Sequence, residues 1–114
     1  MKELLKRLPS PTGYRILIAM PPRKTKTAGG IHLTESTAER EATASIYGNV
    51  LKLGPDAYAD KAKFPSGPWC KAGDWVMFRS YSGTRFMLDE QEFRLLNDDS
   101  IESTVDDPRL IERA

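Results

Sequence analysis

"KAGDWVMFRSYSGTRFMLDEQEFRLLN", Lys71 to Asn97, opens with a turn at Ala72-Gly73-Asp74 and continues as three short apolar runs. These lie near Trp75 to Ser80, Arg85 to Leu88 and Phe93 to Leu96, with Gly83 and Asp89-Glu90-Gln91 between them. Runs this short, aromatic-rich and separated by turn-forming residues read as strands, because a helix needs a longer apolar stripe at 3.6-residue spacing.

Outward from this core the pattern repeats. "GYRILIAM", Gly13 to Met20, places Tyr14, Ile16 and Ile18 on one face of a strand and Arg15, Leu17 and Ala19 on the other. Pro21-Pro22 stops it, since two missing amides cannot continue a ladder. "IYGNVLKL", Ile46 to Leu53, resumes strand character and ends at Gly54-Pro55, and "SIESTV", Ser100 to Val105, supplies a last strand with Ile101, Ser103 and Val105 on one face. Short strands at regular spacing, without a convincing long helix or an internal repeat, predict an all-β chain: a small barrel or sandwich. Pro55 to Lys71, which carries Tyr58, Phe64 and Trp69 among Pro, Gly, Asp and Lys, is expected to be a structured loop or loose hairpin. In "MKELLKRL", Leu4, Leu5 and Leu8 have helical spacing, but Pro9 and Pro11 end any helix within a turn or two. Residues 1–10 are therefore expected to form a tail, 11–105 the domain, and 106–114 a second tail.

At 114 residues, 39% hydrophobic and 29% charged, the chain has the composition of one folded domain with a modest core. A net charge of +1 gives no general attraction for phosphate backbones or anionic membranes. One cysteine, Cys70, forbids an intramolecular disulfide, and no apolar run approaches a signal core or membrane span, so a reducing, cytoplasmic setting is expected. Cys70 has no second thiol or evident histidine partner and reads as structural. The charge is unevenly placed. Met1 to Lys26 holds seven bases and one acid, a balance of +6, whereas Asn97 to Ala114 holds six acids and two bases, a balance of −4. This reads either as two solvated tails or, more sharply, as first and last strands that meet, within one chain or between copies.

Pro21 to Ser45 spans twenty-five residues without strand pattern, and the run from Lys24 to Ser45 carries only two large aliphatic side chains, Ile31 and Leu33. Connections beyond about 12–15 residues in compact domains are functional or disordered. A short helix over "STAEREATA" competes, with Ser36 and Glu39 at capping-box spacing, but only Ala38, Ala42 and Ala44 offer it packing. Folding the aliphatic pair back onto the core is the other alternative. Ordering one residue costs about 1–2 kcal/mol and burying Ile or Leu returns about 1.5–3 kcal/mol, so two side chains do not order this loop. The loop is expected to be mobile. Gly29-Gly30 permits a tight bend before "IHL", and in extended backbone Ile31 and Leu33 point one way and His32 the other, giving a partner two adjacent anchors.

The ordered set "PTGYRILIAM", a polar loop holding "AGGIHL", then "YGNVLKLG", "AGDWVMF" and "DEQEFRLL" closely resembles the GroES-type co-chaperonin (10-kDa chaperonin) family from about Pro11 to Val105. The resemblance implies a small GroES-like β-barrel with a mobile loop over 21–45 and a roof hairpin or loop over 55–71. It implies that Ile31, His32 and Leu33 bind a GroEL-type chaperonin ring in its nucleotide-bound state, with Gly29 and Gly30 as their turn. It further implies a heptameric ring in which the N-terminal strand region of one subunit pairs with the C-terminal strand of the next, capping a chamber where client proteins fold. The middle position of the tripeptide is usually apolar in the family, whereas this chain has His32. The unusual roof segment and the two extensions are similar to bacteriophage-encoded members, for which the setting would be the host cytoplasm.

No catalysis, cofactor or metal is expected of this chain. It has neither a Walker pattern nor GxGxxG, and one His and one Cys do not furnish a normal ligand set. Asp89, Glu90 and Glu92 read as solvated turn acids rather than paired catalytic carboxylates. A rival reading is a barrel binding single-stranded nucleic acid through Tyr47, Trp75, Phe78, Tyr81 and Phe86 with nearby Lys and Arg, although strand aromatics more often build core. An enzyme resembling the barrel domain of zinc alcohol dehydrogenases lacks the ligands.

Overall fold

A computed structural model describes residues 6–21 and 46–111. Among the described residues six strands form one antiparallel sheet: β1 (Arg15–Ala19), β2 (Tyr47–Leu53), β3 (Trp75–Met77), β4 (Thr84–Leu88), β5 (Gln91–Asn97) and β6 (Ser103–Val105). Their order across the sheet is β4-β5-β1-β2-β3-β6. Each of the six strand regions read from the sequence is present within a few residues. The all-β, GroES-like small-barrel expectation agrees with this architecture.

β1 lies between β5 and β2 and is buried on both sides. Ile16 and Ile18 enter the main core with Val50, Val76, Phe78, Leu96 and Ile101, so side chains from four strands and two following loops meet in one interior. A sheet that brings these residues together is rolled rather than flat. Leu17 points the other way into a second cluster with Leu8 and Phe93, lined by Ala19, Leu51, Phe86, Leu88 and Leu95. Phe86 and Phe93 are cross-strand partners whose rings stack 5.6 Å apart, the contact type that adds to burial in antiparallel pairs.

The β1–β2 register slips between Leu17 and Ile18: Leu17 faces Lys52 and Ile18 faces Val50. Leu51 is the extra residue of a bulge, which lets Val50 and Leu53 both serve the main core while Leu51 joins the outer cluster. Gly54 follows where a Cβ would overlap the Gly13 carbonyl oxygen, and its amide donates to Arg15 O at 2.8 Å.

Two expectations are refined. Leu8 falls within the stretch read as a tail, yet it is 4% exposed and packs on Leu17 and Phe93, while Lys52 Nζ donates to Leu8 O at 3.3 Å. Residues 55–71 form a sequence of turns, the structured-loop alternative, with no strand in that span. Tyr58, Phe64 and Cys70 insert into the main core, and the rings of Tyr58, Phe64 and Trp69 pack at 4.8 to 5.9 Å. Asp98, itself buried, accepts the Tyr58 amide at 2.9 Å and so anchors this loop to the end of β5. The sheet order also excludes one way for the chain ends to meet, since β2 and β3 lie between β1 and β6. The described basic residue Arg7 instead pairs loosely with the turn acid Asp89, at 3.5 Å.

Candidate functional site

The expected site residues Gly29, Gly30, Ile31, His32 and Leu33 lie outside the described residues. What the structure defines is the platform from which their connection departs and to which it returns. β1 ends at Ala19, opposite Asn49 of β2, so residues 22–45 join adjacent ends of two paired strands. At the departing end Met20 is buried, its amide donates to Glu92 O at 3.1 Å, and the Gln91 amide group reaches Met20 O at 3.5 Å. At the returning end Ile46 O accepts the Phe78 amide at 2.9 Å, and Tyr47 pairs with Met77. Gly48 is obligatory here, because a Cβ would overlap the Ile18 side chain and crowd Ala19 O at 2.8 Å.

Beneath this platform sits a charged pair that the sequence reading missed. Arg94 on β5 is 0% exposed and Glu92 is 5% exposed, with Arg94 Nε donating to Glu92 Oε2 at 3.2 Å. Glu92 is therefore not a solvated turn acid, a correction forced by strand alternation: it shares a face with Arg94 and buried Leu96, whereas Asp89 and Glu90 in the adjoining turn are exposed. The signal was an oppositely charged i,i+2 pair on a strand whose same-face neighbour is apolar. Arg94 also donates through its terminal nitrogen to Ser80 O and, at 3.4 Å, to Ser82 O, and its guanidinium lies 5.7 Å from the Phe78 ring centroid. Burial pulls its pKa below the ordinary guanidinium value, against the hydrogen bond it donates to Glu92, which raises it. An arginine remains charged under such a shift.

The clamped turn presents Tyr81, 72% exposed, beside an open groove lined by Ile46, Met77, Phe78 and Glu102. Of the aromatics considered for base stacking, Phe78 is core, and Tyr47, Trp75 and Phe86 are partly buried against neighbouring rings. They are not arrayed as an open stacking surface.

At the other end of β1, a second depression is lined by Tyr14, Asp56, Asp60, Lys63, Asp98 and Asp99. Lys63 Nζ pairs with Asp99 at 2.6 Å, and that hydrogen bond raises the Lys63 pKa. Among the described residues no group of three or more His, Cys, Asp or Glu is placed to hold a metal ion, and no helix is long and apolar enough to cross a membrane. Cys70 lies in the core with Tyr58 Oη 3.4 Å from its sulfur; burial raises both pKa values.

Comparison with known proteins places this framework. Residues 9–105 match the family described as chaperonin 10 Kd subunit. The chain is 30% identical over 96 residues to the co-chaperonin GroES of Nitratidesulfovibrio vulgaris, covering 84% of this chain and 96% of that protein. It is 31% identical over 96 residues to the co-chaperonin GroES of Lawsonia intracellularis, covering 83% and 89%, and 34% identical over 96 residues to that of Clostridium botulinum, covering 84% and 96%. With the match spanning β1 through β6 and the connection between β1 and β2, the chain belongs to the chaperonin 10 Kd subunit family, that of the GroES co-chaperonins.

Proposed function

We propose that this chain is a co-chaperonin that caps an ATP-driven, GroEL-type chaperonin ring and encloses client proteins for folding. The observation that carries the reading is the family match over 9–105, which includes the whole of the connection between β1 and β2. In this reading 11–105 is the barrel domain, 21–45 its mobile loop, 55–71 its roof segment, and 1–10 and 106–114 are extensions. Ile31 and Leu33 are the two anchors entering an apolar groove of the partner, His32 points away from it, and Gly29 and Gly30 form the turn before them. A loop that must order itself binds weakly alone. Presented together by a heptameric ring, such loops act at high effective concentration, so capture is firm yet reversible. The partner hydrolyses ATP, and no catalytic step is assigned to this chain.

Ring formation in this reading joins the N-terminal strand region of one subunit to the C-terminal strand of the next. The sheet order supports it: β6 is a terminal strand of the sheet, the kind of edge that proteins cover. Co-sedimentation with a bacterial chaperonin, with and without nucleotide, tests the reading. Capture is expected only with nucleotide, and Ile31→Ser with Leu33→Ser is expected to abolish it while leaving the oligomer mass unchanged. Retained capture by that double variant would sink the tripeptide assignment.

A further inference from the structure

We propose that Arg94 and Glu92 are positioning residues that hold both ends of the 22–45 connection and the 79–83 turn as one unit. The partner's identity rests on the co-chaperonin reading; the geometry does not. The β1–β2 register runs from Ile16↔Leu53 to Ala19↔Asn49. Beyond it each end is bonded to its outer neighbour. Met20 is held by Glu92 and Gln91 on the β5 side, and Ile46 is held by Phe78, just past β3. Because the order is β5-β1-β2-β3, the two ends are bonded to strands on opposite flanks of the β1–β2 pair.

Arg94 links those two flanks. Glu92, whose backbone carbonyl accepts the Met20 amide, also supplies the carboxylate that takes Arg94 Nε at 3.2 Å. The same guanidinium donates to the carbonyls of Ser80 and Ser82 and lies over the ring of Phe78, whose amide holds Ile46 O. A continuous path therefore runs from Met20 through Glu92, Arg94 and the turn to Phe78 and Ile46. Only a planar fork with several donors serves the carboxylate and the carbonyls together; an ammonium reaches fewer of them. Buried ion pairs are weak stabilisers, and fixing a register is their best-attested use. Fixing both ends reduces what a long connection must surrender in freedom when a partner captures its middle.

Native-state hydrogen exchange on the full chain tests this with Glu92→Leu/Arg94→Met, and with Arg94→Lys as the milder variant in case the first misfolds. The amides of Met20, Phe78 and Ser82 should exchange at least about tenfold faster relative to those of Gly54 and Asp56, whose acceptors Arg15 O and Gly13 O lie at the far end of β1. Nucleotide-dependent capture by a bacterial chaperonin should weaken by about tenfold at unchanged oligomer mass. A uniform change across both sets of amides, or none, overturns the proposal. Selective exchange with undiminished capture overturns its link to partner binding. A wild-type chain that is never captured defeats the co-chaperonin reading instead, and the exchange pattern still decides the positioning role.

Discussion

Removing one member of the Arg94–Glu92 pair should be far worse than removing both. Arg94→Ala leaves Glu92 charged at 5% exposure with no guanidinium beside it, and strips donors from two carbonyls. Breaking a buried pair in this way costs about 3–5 kcal/mol, whereas replacing both partners by apolar groups of similar volume is often neutral or better. Urea denaturation should therefore show Arg94→Ala strongly destabilised and Glu92→Leu/Arg94→Met close to wild type, leaving exchange at the platform as the defect of the double variant. Cys70 gives a second test at this scale. It is buried in the core, and its pKa is raised by that burial, so little thiolate is available at neutral pH. A thiol reagent in excess should label Cys70 only as fast as the core opens; rapid labelling of the native protein would contradict its position beside Tyr58. Sequence patterning reads Cys70 correctly, because a lone thiol without a partner has few other uses. It misreads Glu92, because the acidic turn before it looks solvated until the strand register is known.

The strands were legible for a local reason: each carries its own alternation and is bounded by Gly, Pro or Asp. What was not legible depends on partners. In a regular strand Val50 and Lys52 would share one face and Leu51 and Leu53 the other, yet the bulge at Leu51 reassigns them, and only the β1 register reveals it. Likewise the turn-rich composition of 55–71 announces a loop, but not that Tyr58 and Phe64 complete the core or that Asp98 holds the Tyr58 amide. For the candidate site the situation is reversed: the "GGIHL" signal is carried wholly by sequence, while the structure adds the platform under it. The β4–β5 hairpin turns on Asp89 and Glu90, with φ of 50° and 65°. Two-residue turns of this hand favour Asn-Gly, because residues with a Cβ pay about 1–2 kcal/mol to sit in the left-handed region. Glu90→Gly should therefore raise the unfolding free energy by about 1 kcal/mol in urea titration. No gain would mean that this turn relaxes at little cost.

For the whole molecule, the unequal charge of the two ends becomes a statement about assembly, because β1 and β6 are separated by β2 and β3 and the ends cannot pair through those strands in one chain. If the basic start of one subunit meets the acidic end of the next, two forces act at that contact. Strand pairing across the β6 edge is short-ranged and nearly indifferent to salt, whereas attraction between exposed charges is screened over about 10 Å at 0.1 M salt and about 3 Å at 1 M. Light scattering should report seven times the chain mass at low ionic strength, with the concentration for half-assembly rising as salt is added. If capture depends on loops acting together, as proposed, nucleotide-dependent binding to a chaperonin should fall over the same range of protein concentration in which the ring comes apart. A mass that stays sevenfold and salt-independent would assign the contact to strand pairing and packing alone, leaving the charge asymmetry without a part in assembly. A strict monomer at every concentration would remove the proposed ring, and with it the argument that two aliphatic anchors per subunit could suffice.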